Sequence, residues 1–121
     1  MPFGGVPAKI IPRILNSVDT AFSQANNQSF GAGTETTIRT PGAGKSITVF
    51  RIGVFQSLSA VTTFKDGVAG ATFYQCAAAT NGWITIDLGP DGYTLGIGNA
   101  LTVTFSTANT NGVVSVVGRE G

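Results

Sequence analysis

From Thr34 onward, apolar and polar positions alternate with a period of two. In Leu101–Ser106, Leu101, Val103 and Phe105 fall on one side and Thr102, Thr104 and Ser106 on the other, as in a strand with one buried face. Trp83–Leu88 repeats the pattern with Ile84, Ile86 and Leu88, and Ala71–Cys76 sets Ala71 and Phe73 against Thr72 and Tyr74. Thr36–Thr40, Ala60–Lys65 and a weak Tyr93–Ile97, broken by Gly96 and Gly98, read as further strands. The longest run is Ser46–Ser57. Its apolar set changes parity between Val49 and Phe50, which calls for a bulge or for a strand buried on both faces. Turn chemistry separates the runs: Pro41-Gly42-Ala43-Gly44, Asp66-Gly67, Asn81-Gly82 and Gly89-Pro90-Asp91-Gly92. Asn109-Thr110-Asn111-Gly112 then leads into Val113–Val117, which the pattern predicts to pair with Leu101–Ser106 as an antiparallel hairpin. About eight strands separated by short turns predict an all-β fold, an antiparallel β-sandwich of jelly-roll type.

Residues 1–33 follow another pattern and are expected to form an N-terminal arm, with the sandwich over residues 34–121. Pro2, Pro7 and Pro12 resist regular structure. Ile14, Leu15, Val18 and Phe22 have helical spacing behind Pro12, so a short helix near residues 12–22 and an extended arm are both compatible with the sequence. The polar run Ser23–Ser29 reads as a linker or loop. The alternating residues beyond Thr34 suffice to close a core without this segment. Its apolar side chains are therefore expected to pack on a neighbour, which makes Phe3, Ile10, Ile11, Ile14, Leu15, Val18 and Phe22 the candidate assembly contacts.

Composition narrows the function. The chain has 121 residues, 42% of them hydrophobic and 11% charged, with seven Lys and Arg against six Asp and Glu. So few charges exclude charge-driven disorder, and scattered basic residues leave no footprint for nucleic acid. No apolar run approaches membrane-spanning length. The N-terminus lacks a basic and then apolar leader, so the sequon Asn27-Gln28-Ser29 reads as chance. With no His and only Cys76, zinc, haem and iron–sulfur sites lack ligands. No cofactor or metal is expected.

The remaining motifs weigh toward structure. Gly42-Ala43-Gly44-Lys45-Ser46 looks like the end of a phosphate-binding loop, but the required first glycine is Arg39 and a strand follows instead of a helix. Gly96-Ile97-Gly98 has Leu101 where a dinucleotide fingerprint needs its third glycine. Asp87 and Asp91 bracket a turn with too few oxygens for calcium. Trp83 with Tyr74 and Tyr93 would make a sugar-stacking platform if the rings shared a plane; packing at a sheet edge or subunit contact is the plainer reading. Cys76 reads as a small buried hydrophobe, and no His is present to activate a serine. No catalytic residue is expected.

The stretch from about Thr34 to Gly118 resembles small β-sandwich proteins of tailed-bacteriophage virions, the head decoration or cement proteins. The likeness lies in Gly44-Lys45-Ser46-Ile47-Thr48-Val49, in Val61-Thr62-Thr63-Phe64-Lys65-Asp66-Gly67, and in Gly92-Tyr93-Thr94-Leu95 with Gly98-Asn99-Ala100-Leu101-Thr102-Val103-Thr104. Val113-Val114-Ser115-Val116-Val117 matches the closing strand. Trp83 lies well before the Gly-Asn-Ala-Leu element, where relatives often carry an aromatic just ahead of it; Tyr93 stands there instead. The resemblance implies a non-enzymatic virion protein on the capsid surface, assembled as a homotrimer and bound to the major capsid protein lattice. From the charge and hydropathy pattern, no nucleic-acid or membrane partner is expected. A carbohydrate-binding or adhesive module and a tail or neck component are the alternatives.

Overall fold

A computed structural model describes residues 20–121, a range without helix. Nine strands follow in chain order: β1 (Thr20–Phe30), β2 (Glu35–Arg39), β3 (Ile47–Gln56), β4 (Ala60–Asp66), β5 (Ala71–Ala78), β6 (Gly82–Asp87), β7 (Tyr93–Thr94), β8 (Leu101–Phe105) and β9 (Asn109–Glu120). They form two sheets, one of order β1-β9-β3-β6 with β7 also on β3, the other of order β2-β8-β4-β5. Every pairing is antiparallel.

The topology follows from one ribbon. β1 pairs with β9, β2 with β8, β3 with β6, and β4 with β5. The chain is thus doubled on itself, with its tip between Asp66 and Ala71, and successive strand pairs go to alternate sheets. That winding is the jelly roll, as the alternation and turn spacing predict.

Between the sheets lie Ile47, Val49, Ile52, Val54, Phe64, Leu101, Val103, Phe105, Val114 and Val116, all without solvent exposure. Phe30 and Phe105 stack at 4.6 Å. The parity change in β3 is a bulge: the register with β9 shifts between Val49 and Arg51. Ile47 and Val49 point inward before it, Ile52 and Val54 after it. The backbones crowd there. A Cβ on Gly118 would sit 2.2 Å from the Thr48 carbonyl oxygen, and one on Gly92 would sit 2.5 Å from that of Val49. Only glycine permits that approach.

Three expectations are corrected. Ser23–Ser29 is not a linker: it lies within β1, paired with β9 from Thr20↔Glu120 to Gln28↔Gly112. Phe22 is likewise in this strand and not in a helix; the rest of the expected helix, and Phe3, Ile10, Ile11, Ile14, Leu15 and Val18, lie outside the described residues. Since Phe30 is a core residue, the strands beyond Thr34 do not close the core unaided. Ordering of β1 rests on the ladder to β9 and on amides rather than on apolar alternation. Gln24 Nε2 donates to the Ile38 carbonyl at 2.5 Å and to Asn26 Oδ1 at 2.8 Å.

Second, β8 and β9 do not form a hairpin; they belong to opposite sheets. The expected turn Asn109–Gly112 is the start of β9, and the sheet crossing lies before it at residues 106–108, where the buried Asn109 side chain fastens the backbone. Its Oδ1 accepts from Leu58 N at 2.9 Å and its Nδ2 donates to the Thr107 carbonyl at 3.0 Å. Third, the expected strand Tyr93–Ile97 shrinks to the two residues of β7. Gly96 N turns away to donate to Asp66 Oδ1 at 3.0 Å.

Phe105→Ala should destabilise the domain by about 3–5 kcal/mol, since it empties the stack against Phe30. The melting temperature should fall by roughly 10 °C or more. A shift of only a couple of degrees would show that this side of β8 is not the core.

Candidate assembly surface

The two outer faces of the sandwich differ in chemistry. On the β2-β8-β4-β5 sheet, register aligns Glu35, Thr104, Thr63 and Gln75 in one row and Thr37, Thr102, Lys65 and Thr72 in the next. Hydroxyls and amides bond across it: Gln75 Nε2 to Thr63 Oγ1 at 3.0 Å, and Thr102 Oγ1 to Glu35 at 2.5 Å. This is a hydrated β surface.

The β1-β9-β3-β6 sheet is different. Its rows read Asn27, Val113, Phe55, Trp83; then Ala25, Ser115, Gly53, Thr85; then Ser23, Val117, Arg51, Asp87. Two of these twelve positions are charged and stand opposite each other on β3 and β6; the next row, Ala21, Arg119, Thr48 and Thr94, adds Arg119. Trp83 lies folded over the sheet. Its indole N–H donates to Thr85 Oγ1 at 3.2 Å, its ring tilts against Phe55 at 6.3 Å, and it covers the bare backbone of Gly53, where a Cβ would meet the indole at 3.1 Å. It stays 54% exposed. At the opposite corner the bulge turns Phe50 and Arg51 outward. With Asp87, Gly89, Pro90 and Val117 they line a cleft of about 530 Å³, and the Arg119 guanidinium sits 5.7 Å over the Phe50 ring. The face is a low-charge plane of small residues with an aromatic pair at one end and an open cleft at the other. A protein surface fits such a plane better than a soluble substrate does.

The polar clusters are occupied in holding the fold. Arg39 lies 3.9 Å over the Phe22 ring, donates to Gln24 Oε1 at 3.1 Å and forms an ion pair with Glu120 at 3.0 Å. Glu120 also accepts from Gly42 N at 2.7 Å. Phe22, expected as an assembly contact, is half-buried under the Arg39 guanidinium in this clamp between β1, β2 and β9. The backbone hydrogen bond from Gly42, joined by Arg39, holds the Glu120 carboxyl below the usual carboxylate range. Glu35 is lowered likewise, mainly by the Thr102 hydroxyl and then by Ala69 N. At the other end Asp66 accepts from Tyr93, Gly96 and Asn99.

The expected chemical motifs resolve as structure. Gly42–Lys45 is a turn closed by Lys45 N to the Gly42 carbonyl at 3.0 Å. Asp87 caps its turn by accepting from Gly89 N at 2.9 Å. Among the described residues no cluster of metal-ligating side chains occurs. The sugar-stacking platform is not assembled: Tyr93 stacks on Phe73 at 4.4 Å and 5°, while Trp83 packs on Phe55. Cys76 is half-buried and burial pushes its thiol up, away from the reactive thiolate. The small-residue face was not foreseen, because it arises from register between strands distant in sequence.

No protein-family model and no curated protein matches the chain. Solved structures with a similar trace include a protein of the disulfide-linked pili that form Bacillus endospore appendages, 14% identical over 84% of this chain and 88% of that one, with a TM-score of 0.46. The coat protein of Tobacco streak virus is 10% identical over 92% of this chain and 90% of its own, TM-score 0.48. The third is from a virus-like particle of the extra small virus of the giant freshwater prawn Macrobrachium rosenbergii, 12% identical over 99% and 87%, TM-score 0.43. The jelly-roll assignment itself rests on the strand order.

The clamp predicts an acid response. A carboxyl held low in the fold contributes stability that is present above its unfolded value, about 4.3, and is lost as pH falls through the folded value. Denaturant titrations from pH 7 to pH 3 should therefore show stability declining at the acid end. Glu120→Gln should be less stable at pH 7 and decline less steeply. A wild-type curve flat down to pH 3 would exclude the clamp as a source of stability.

Proposed function

We propose that the chain is a non-enzymatic structural protein of a virion, a decoration or cement subunit that binds the assembled head shell and stabilises it by bridging neighbouring capsid proteins. The observation that carries this reading is the outer face of the β1-β9-β3-β6 sheet, with three charges among sixteen positions, two of them opposed as Arg51 and Asp87. Such a plane loses little by leaving water and suits a flat contact. The resemblance to small β-sandwich proteins of phage virions supports the same reading and adds a homotrimer on the capsid surface. Residues 3–18 bring Phe3, Ile10, Ile11, Ile14, Leu15 and Val18 as an apolar arm toward adjacent subunits. Because each contact repeats over the lattice, modest affinity per site suffices. Catalysis, cofactors, nucleic acid and membranes have no part in this reading.

The experiment is a deletion of residues 2–19, which leaves β1 intact. The truncated chain should keep its β-rich circular dichroism spectrum. Its attachment to intact phage heads, measured by co-sedimentation, should weaken at least tenfold, because the buried apolar arm surface is lost, at about 25 cal/mol per Å². Failure of the full-length chain to co-sediment with heads would refute the decoration role. Undiminished binding by the truncated chain would move the contact from the arm to the sheet face.

A further inference from the structure

A sheet edge is a row of unsatisfied N–H and C=O groups, and proteins commonly blunt such edges with charge, proline, bulges or brevity. Of the four edges here, β2 has five residues, bounded by Glu35 and Arg39, and a register shift. β6 has six and ends on Asp87. β5 is interrupted by the shift opposite Phe64 and Lys65. Among the described residues, β1 is the longest of these edges, and its one register shift lies at its end, between Gln28 and Phe30. It runs eleven residues without a charge or a proline, and its register with β9 is unbroken from Thr20 to Gln28.

Its sequence also has a symmetry. Phe22-Ser23-Gln24-Ala25-Asn26-Asn27-Gln28-Ser29-Phe30 reads the same in both directions about Asn26, apart from the exchange of Ala25 and Asn27. In an antiparallel pair of identical strands with a two-fold axis at Asn26, each residue faces its mirror position: Gln24 faces Gln28, Ser23 faces Ser29, Ala25 faces Asn27. Charged residues placed so would repel. Ser carries both donor and acceptor, so the exposed Ser23 facing Ser29 is complementary, while the Gln24 amide stays with Ile38, Asn26 and Arg39. Ala21, Ser23 and Ala25, all exposed, are small enough to let a second backbone approach.

We infer that β1 is a self-pairing edge: two copies of the chain join β1 to β1 antiparallel about Asn26, making one continuous sheet from their two β1-β9-β3-β6 sheets. Over Gln24–Gln28 the junction supplies about five backbone hydrogen bonds. It is an isologous contact, and it aligns the two low-charge outer faces side by side. The inference does not depend on the virion reading, and a shell with three-fold contacts accommodates two-fold ones.

The test uses the exposed positions 25 and 27, which face each other across the axis. Full-length wild type, Ala25→Lys/Asn27→Lys and Ala25→Lys/Asn27→Glu would be compared by sedimentation velocity over a concentration series, with circular dichroism to verify the fold. Wild type should associate in even-numbered units. The double lysine variant sets like charges opposite each other twice, and its dissociation constant should rise at least tenfold. The Lys/Glu variant sets opposite charges there twice and should recover association, most strongly at low salt. Equal masses for all three chains, or a Lys/Glu variant that behaves like the double lysine one, would overturn the inference. Hydrogen exchange gives a second readout that needs no variant: amides of Gln24–Gln28 in wild type should lose protection on dilution, and protection independent of concentration would also overturn it. Wild type that binds heads but does not self-pair would refute this edge alone, and wild type that self-pairs but does not bind heads would refute only the virion role.

Discussion

The extra residue at Phe50 is the constraint on which the sandwich depends. β3 lies between β9 and β6 and contributes four fully buried aliphatic side chains, Ile47, Val49, Ile52 and Val54. A regular strand would bury one of these pairs and expose the other, since strand side chains alternate strictly. Each exposed aliphatic would forfeit about 1.5–3 kcal/mol, a large part of a small domain's stability. The bulge lets both pairs point inward. It requires Gly118 on β9 and Gly92 before β7, because each approaches a β3 carbonyl too closely for any Cβ. It also turns Phe50 and Arg51 outward together, and so makes the cleft. Core and surface are therefore set by the same insertion.

Much of this was legible from residue pattern. Alternation in Leu101–Phe105 identified its buried side, the parity change at Val49 and Phe50 located the bulge, and the turn glycines marked most strand boundaries. Two readings failed for a physical reason. Ser23–Ser29 has no apolar alternation, because the inward positions of this edge strand at Gln24 and Asn26 are filled by amides whose partners lie on the same strand or on β2, which no local pattern reveals. Asn109-Thr110-Asn111-Gly112 has the chemistry of a tight turn, yet the Asn109 amide is used to fasten a crossing between sheets. The candidate surface was less legible still. Ala25, Ser115, Gly53 and Thr85 share a row through register across four strands, and Phe22, expected to reach a neighbour, is held under the Arg39 guanidinium.

The two outer faces also differ in how they meet water. Threonines, Lys65 and Gln75 keep one sheet hydrated, and Glu35 fastens it to the turn at Ala69 through two 3.0 Å contacts from the Ala69 amide. The other sheet carries few charges on its outer face, Arg51, Asp87 and Arg119, and holds the Trp83 indole over Gly53. A small domain with one wetted side can stay in solution while offering the other.

β9 pairs on both sides, with β1 and with β3, yet it is the last strand in chain order. During synthesis β1 leaves the ribosome with no strand to lie against until the eight that follow have been made. Contacts this distant along the chain form late and slowly. Until then the uncharged stretch Thr20–Phe30 lacks its native partner strand, and an unpaired strand without charge is open to pairing with other chains. Late closure by β9 therefore makes the speed of folding, as well as its end point, matter for this edge.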